Sequence, residues 1–482
     1  MKTKTIHICI IGLLAMLCTS CNDWLTVQPK SLSPSEKMFE SETGFKSALT
    51  GLYLEMRYAY TPGDIINGGL GLEYMANDYA FNSNTSVMNH MLSMHNYTDQ
   101  NIDRIFGYLF MRYYKIITNA SEIINNMPKK EGILTTDEAN LIEGEALAIR
   151  AFCHFELMRI WGPVPGHEDA AKTYLPYVTT MTIENYPYLT YQDYMQLLLQ
   201  DLTRAEELLA QSDPILKYTN AQLNAGNTNL PGYDTSFWYK RQTRFNVYGV
   251  KALLARYYLW MQDNEKAYAY AKEVLDAKNE DGTPKFVMGK QADIASKDYL
   301  FSAEHIIGVT LNEFVDNTNS FISTNGSATY VNTVSVMDGR LYGDEADLRK
   351  NLLSRMENNL YGTCYGTLKY SNLSQNSSFK AVPLVRLSEM YLILCETAPL
   401  AEANTYYKAY REARNTSYTA LTDATRQEVV LKEYVKEYFA EGGQSFFTQK
   451  RMNRATLLLS QLPITTEQYV VPIPTAEYEM FK

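Results

Sequence analysis

Setting aside His7, which lies in an apolar N-terminal run, five of the six histidines remain, and none stands in an H-E-x-x-H or comparable metal pattern. His90 and His95 are five apart, which puts them on different faces of any helix. Gly68-Gly69-Leu70-Gly71 has neither a strand before it nor the spacing of a phosphate-cradling loop. Gly443-Gln444-Ser445 lies in a helical pattern, whereas a nucleophile elbow needs a strand leading into it. Paired carboxylates are plentiful among 54 Asp and Glu residues, so counting acids selects no glycosidase pair. The chemistry left is recognition without turnover, with no metal and no cofactor expected. The 38 tyrosines carry this reading, because a phenol offers a flat apolar face and a polar tip. Such planes stack on sugar rings while Asp, Asn and Arg bind the hydroxyls. A formal charge of −10 argues against phosphate backbones, and nucleic acid is not an expected partner.

Lys2 and Lys4 precede the apolar run Ile8 to Leu17, which is too short for a spanning helix and reads as the export signal of residues 1–20. Loss of those two lysines would take the charge from −10 to −12. Leu17-Cys18-Thr19-Ser20-Cys21 resembles a lipobox, with Cys18 at the position where an aliphatic residue is usual. Cys21 is therefore the expected lipidation site and the only membrane attachment, since no later segment offers roughly 18 uninterrupted apolar residues. Cys153, Cys364 and Cys395 then remain, an odd count that argues against a disulfide framework.

The elements that must position any site are mostly helical. Apolar residues recur at helical spacing over about 34–60, 102–127, 136–160, 190–210, 244–262, 264–277, 384–395 and 400–414. Thr135 to Glu138 has the form of a capped start, and Pro163 and Pro165 close the helix that follows. Ala252, Ala255, Tyr258, Ala267, Ala269 and Ala271 let two antiparallel helices approach closely, as in tetratricopeptide repeats. Four such helix pairs, near 34–127, 135–210, 244–277 and 384–414, make a solenoid-like frame, with a further helical region over 425–482. Residues 64–100 and 305–383 are polar insertions expected to form an irregular lobe, with strand character at 305–311. The fold class expected is mostly α, with a few short β-strands.

The order of motifs resembles the SusD/RagB family of outer-membrane lipoproteins. Glu145-Ala146, Arg150-Ala151, Phe155, Leu157, Arg159 and Gly162 through Pro165 look like the family's E-A-x-x-x-R-A-x-x-x-F-x-L-x-R-x-x-G-x-x-P block. Ala252 to Leu259 and Val382 to Leu392 resemble its third and fourth repeat helices. Glu437 to Phe447 is similar to E-x-x-x-E-G-x-R-x-x-D, except that Gln444 and Thr448 replace the usual Arg and Asp, which weakens any charge network there. Arg150, Arg159, Arg386 and Glu389 sit on apolar helices and read as framework, since a guanidinium fork can tie packed elements together.

The resemblance implies a single domain over 21–482 that binds a nutrient, a glycan in the first instance, without chemistry. It also implies a partner, a SusC-like TonB-dependent transporter over which the protein acts as a lid, and a lipid-anchored place on the outer cell surface. A peptide-binding lid of the RagB kind is the alternative, and a surface glycoside hydrolase a lesser one. In the family, ligand contacts come from loops after the first helix and before the fourth pair. Here those loops are 64–100 and 312–345, which makes Asn77, Asp78, Tyr79, His95, Tyr97, Phe314, Asn317, Phe321 and Tyr330 the candidate binding residues. Trp161 and Trp260 fall on frame helices and Trp24 in the tether. Trp238, alone in a long interval, joins the candidates as a stacking platform.

Overall fold

The structure is a computed structural model that describes residues 35–60, 71–81, 83–84, 87–182, 184–225, 230–233, 236–310, 330–343, 346–370 and 381–479. Its frame is a chain of helices: α1 (Glu42–Ala59), α2 (Gln100–Asn126), α3 (Thr136–Trp161), α4 (Tyr191–Ser212), α5 (Val247–Trp260), α6 (Asn264–Leu275), α7 (Leu387–Thr397) and α8 (Leu400–Ala413). Each packs on the next, α1 on α2 through to α7 on α8, so the four expected pairs form one continuous layer. Two more helices, α9 (Arg426–Tyr438) and α10 (Gln444–Arg451), close it, and among the described residues beyond Arg451 the helical elements are the 3-10 turn Glu467–Tyr469 and the short helix Thr475–Glu479.

Local chemistry sets the boundaries. The Thr135 hydroxyl accepts from the Glu138 amide while the Glu138 carboxylate accepts from the Thr135 amide, a reciprocal cap that satisfies two first-turn donors of α3. Asp99, Asn246 and Asp263 cap α2, α5 and α6 one way, each side chain accepting from a first-turn amide. Helix α5 approaches the strand His305–Thr310 so closely that a Cβ on Gly249 would lie 2.4 Å from Ile307. Ala252, Ala255, Ala267 and Ala271 are fully buried, which is the close approach expected of that pair. Ala269 faces solvent instead, because two residues from Ala267 and from Ala271 is about 200° around a helix.

The strands are short. β1 (Thr173–Pro176) pairs with β2 (Tyr188–Thr190), β3 (His305–Thr310) with β7 (Ala381–Arg386), and β4 (Val331–Thr333) with β6 (Gly362–Thr367), which also pairs with β5 (Leu353–Asn358). All pairings are antiparallel. Residues 381–386, expected partly as helix, are the strand β7, and α7 begins only at Leu387. Val382-Pro383-Leu384-Val385 favours the strand, since proline resists the helix interior and valine packs well on a pleated surface.

Helix α3 is buried on nearly every side from Ala139 onward, and its charged residues are matched inside the core. Arg150 forks onto Asp201 of α4, with both bonds at 2.7 Å. Arg256 of α5 forks onto Glu389 of α7 at 2.7 and 2.6 Å. The forked geometry makes each pair a directional clamp between helices.

Arg159 shows what the altered motif residue does. It donates to Glu156 at 2.6 Å and to the Gln444 side-chain oxygen at 2.7 Å, with its guanidinium 3.6 Å from the Phe447 ring centre. Gln444→Arg would set two guanidiniums against each other and is expected to cost about 1–3 kcal/mol, with Thr448→Asp restoring part of it. A urea-unfolding double-mutant cycle measures this, and strictly additive effects would refute the contact.

Candidate functional site

Four of the candidates from the sequence meet in one place. The chain after the short helix Leu72–Met75 turns at Asn77, whose φ of 56° places it in the left-handed region that Asn tolerates. The Asn77 amide donates to the carbonyls of Tyr74 and Ser93, both at 2.9 Å. The Tyr79 ring stacks on Tyr330 at 5.0 Å and 20°, with Tyr74 and Phe439 edge-on. The Asn332 side chain donates to the Asp78 carbonyl at 2.8 Å, and the Ala80 amide to the Val331 carbonyl at 2.7 Å. The base of the first insertion is thus knotted to the base of the second.

The knot is tied to the α10 region. Glu73 accepts from the Gly443 amide at 2.8 Å, Asp78 from the Ser445 hydroxyl at 2.9 Å, and the Gln449 amide donates to the Ala76 carbonyl. Asn77, Asp78, Tyr79 and Tyr330 are all buried. Their side chains hold the insertions in place and face the interior. Five buried polar atoms in this cluster have no hydrogen-bond partner among the described residues: Glu73 Oε2, Asn77 Oδ1, Asp78 Oδ2, Tyr79 OH and Ser93 Oγ. That density is unusual for a native interior.

Burial raises the Glu73 carboxyl well above its usual range and pushes Asp78 up to about 7, against the Ser445 hydrogen bond and the Lys369 charge. An unfolded Asp titrates near 3.8, so between that pH and about 7 the folded state keeps a proton the unfolded state has released. This site's contribution to stability therefore falls as pH rises through that window. Asp78→Asn removes the effect, and its melting temperature relative to the parent is expected to rise from pH 4 to pH 8. A difference that does not change with pH refutes the assignment.

His95 and Tyr97 lie beside the knot. The His95 ring contacts the Met75 carbonyl at 3.0 Å, and burial lowers its pKa to about 4, so it is neutral at pH 7. Tyr97 donates to the Gln468 carbonyl at 2.7 Å and packs edge-on against Phe106, which packs edge-on against Trp161. Trp238 stands apart from these, against α1 and α3. It is buried, edge-on to Phe237, with the Lys46 ammonium 5.3 Å from its ring centre, and it lines a cavity of 290 Å³ with Lys46, Glu138 and Tyr233. Phe314, Asn317, Phe321 and Cys21 lie outside the described residues.

Sequence reasoning missed an open cavity of 580 Å³ where the β1–β2 hairpin meets the end of α3. Trp161, Lys172, Tyr174, Tyr188, Pro472 and Ile473 line it, and its volume is within the ~300–1,000 Å³ of ligand sites. Tyr174 is fixed by accepting from the Asp169 amide at 2.9 Å, with the Lys172 ammonium 5.3 Å from its ring centre. The signal was there in the tyrosines at 174, 177, 186, 188 and 191, but period-2 and helical patterns do not register clusters of this kind. Among the described residues no group of three or more His, Cys, Asp or Glu could hold a metal ion, and no helix is long and apolar enough to cross a membrane.

Over 92% of this chain and 97% of the other, the fold superposes on a SusD superfamily protein from Bacteroides vulgatus ATCC 8482, with a TM-score of 0.71 and 21% identity. Residues 23–230 match the SusD-like family described as starch-binding and associating with the outer membrane. Residues 23–230 are SusD-like, and the described chain shares the fold of SusD superfamily structures. A laminarin-binding SusD-like protein shares the fold at a TM-score of 0.65 and 16% identity, over 91% of this chain and 97% of that one. SusD-like protein P25 of Formosa agariphila is 26% identical over 178 residues, 34% of this chain and 32% of that protein. The match thus spans about a third of that relative's length. In this frame the Glu145–Pro165 block is the second half of helix α3 and its exit, and every residue of the block within the helix is buried.

Proposed function

We propose that this SusD-like chain is a non-catalytic glycan-binding protein of the outer cell surface, anchored by lipid on Cys21, that presents its ligand to a SusC-like TonB-dependent transporter. The observation that carries the glycan reading is the SusD fold itself, which aligns along nine-tenths of its length with a laminarin-binding protein. The cavity of Trp161, Tyr174 and Tyr188 adds support, because aromatic faces beside a few donors are what an oligosaccharide needs. On this reading Asn77, Asp78, Tyr79 and Tyr330 act behind the site: they fix the bases of the insertions that carry the contacts. Rigid placement of that kind lowers the ordering cost of binding.

Native affinity electrophoresis through gels containing laminarin, starch or pectin tests the reading. Retardation in at least one gel, with no release of reducing sugar on prolonged incubation, is the expected result. Capture of oligopeptides with no retardation by any polysaccharide would replace the glycan by a peptide, and sugar release would make the protein a hydrolase. Display at the cell surface that survives Cys21→Ala unchanged would remove the anchor.

A further inference from the structure

A third cavity, also of 290 Å³ and distinct from the one at Trp238, lies where α1, residues 236–244 and the end of β3 meet. Among the described residues, every charged one in its lining is a cation: Arg57, Lys240 and Arg244. In a chain of net charge −10 that is a local inversion of sign. The aromatic members are Tyr53, Phe237 and Tyr239, with hydroxyls from Thr50, Ser236, Thr243 and Thr310 around them. The nearest buried carboxylate is already engaged: Glu145 accepts from Arg241 at 2.5 Å, from Arg244 Nε at 3.0 Å and from Tyr53 at 2.5 Å.

The cavity is rigidly built. The Tyr53 hydroxyl is held between Glu145 and the amide of Phe245 at 2.9 Å, which fixes the ring. The Arg244 guanidinium lies 4.6 Å from the Phe237 ring centre and 5.3 Å from that of Tyr53, and it donates to the Phe237 carbonyl at 2.7 Å. Lys240 is exposed, on a backbone held in the left-handed region at φ 54° with its amide bonded to the Leu223 carbonyl. The result is an aromatic wall flanked by hydroxyl-bearing residues, with described charged residues that are all cations.

We propose that this cavity is a subsite for an anionic sugar, a pyranose bearing a carboxylate or sulfate ester, with its apolar face toward Tyr53 and Phe237 and its anion toward Lys240. The inference rests on the glycan reading above and narrows it to acidic glycans. A neutral sugar would use the stacking face alone, whereas an anion would also gain from the exposed Lys240, on a chain whose net charge is otherwise repulsive to it. Sulfate and carboxylate share this chemistry, and the probes separate them.

The test is calorimetric titration of the full mature chain with tetragalacturonate, a sulfated tetrasaccharide of agar type and neutral laminaritetraose, each at low and at physiological salt. The expected result is that at least one acidic probe binds, weakens with salt, and loses about tenfold affinity in Lys240→Glu, with Arg57→Gln giving a smaller loss. Lys240 is exposed and bonds through its backbone, so the variant is expected to fold, and its melting curve checks that. If laminaritetraose binds as tightly as the acidic probes and Lys240→Glu changes neither, the cavity is not the subsite although the glycan reading stands. If no sugar binds and an Asp/Glu-rich peptide does, with Lys240→Glu abolishing it, both the subsite and the glycan reading fail.

Discussion

Glu437→Gln is expected to lower the stability of the protein by about 3–5 kcal/mol, read as a shift in the urea midpoint, although it changes neither the size nor the shape of the side chain. The carboxylate accepts from Arg414 at 2.9 and 2.7 Å, from Arg386 at 2.9 Å and from the Tyr410 hydroxyl at 2.7 Å. It sits at the middle of a buried network in which Arg349, Arg386, Arg411, Arg414, Lys369 and Lys436 face Asp347, Glu304, Glu433, Glu437 and Glu441. That is six cations against five anions, and removing one anion leaves six against four with little water to screen them. The guanidiniums hold the Glu437 carboxyl well below its usual range. A group shifted down stabilises the fold above its unfolded value, near 4.5, and loses that contribution as pH falls through the folded value. The parent is therefore expected to lose more stability than the variant between about pH 5 and pH 2. A loss below about 1 kcal/mol at neutral pH would show that the network tolerates the missing charge.

Glu145→Ala is expected to cost a similar 3–5 kcal/mol by a different route. Arg241 has no exposed surface and shares its charge between Glu145 and Asp213, the latter at 2.9 and 2.8 Å. Without Glu145 the core holds Arg241 against Asp213 alone, and both Arg244 and the Tyr53 hydroxyl lose an acceptor. The segment 236–246 hangs on these bonds, since the Phe245 amide donates to Tyr53 and the Val247 amide to Asp213 at 2.9 Å. Amide exchange is expected to accelerate over 236–246 well before the rest of the chain opens. Uniform acceleration across the molecule would mean that Glu145 supports only global stability.

The helical frame was legible because its causes are local. The Thr135 and Glu138 cap and the alanines of α5 and α6 act over a few residues, and periodicity records them directly. Arg150, Arg159, Arg386 and Glu389 were legible as framework because a charge on an apolar helix needs a partner. The candidate site was far less readable. Asp78 and Ser445 are 367 positions apart, and nothing near either one signals the bond. Asn and Tyr have the same composition whether they meet a ligand or a neighbouring loop, so the content of 72–97 could not tell a contact surface from a buried knot. The cavity-lining Tyr188 and Ile473 come from segments that look like connectors, and only the fold brings them together.

Lys450 gives the last residues an unexpected importance. Its ammonium donates to the carbonyls of Arg159 and Gly162 at 2.8 and 2.9 Å, and Gly443, Ser445 and Gln449 reach back to Glu73, Asp78 and Ala76. A polypeptide synthesised from its amino end has made helix α3 nearly three hundred positions before the side chain that closes it exists. Until then the emerging product keeps bare carbonyls and an open apolar seam, the condition in which nascent chains aggregate or recruit chaperones. Contacts of such separation form late, so closure of α3 is expected to await synthesis of the segment around Lys450.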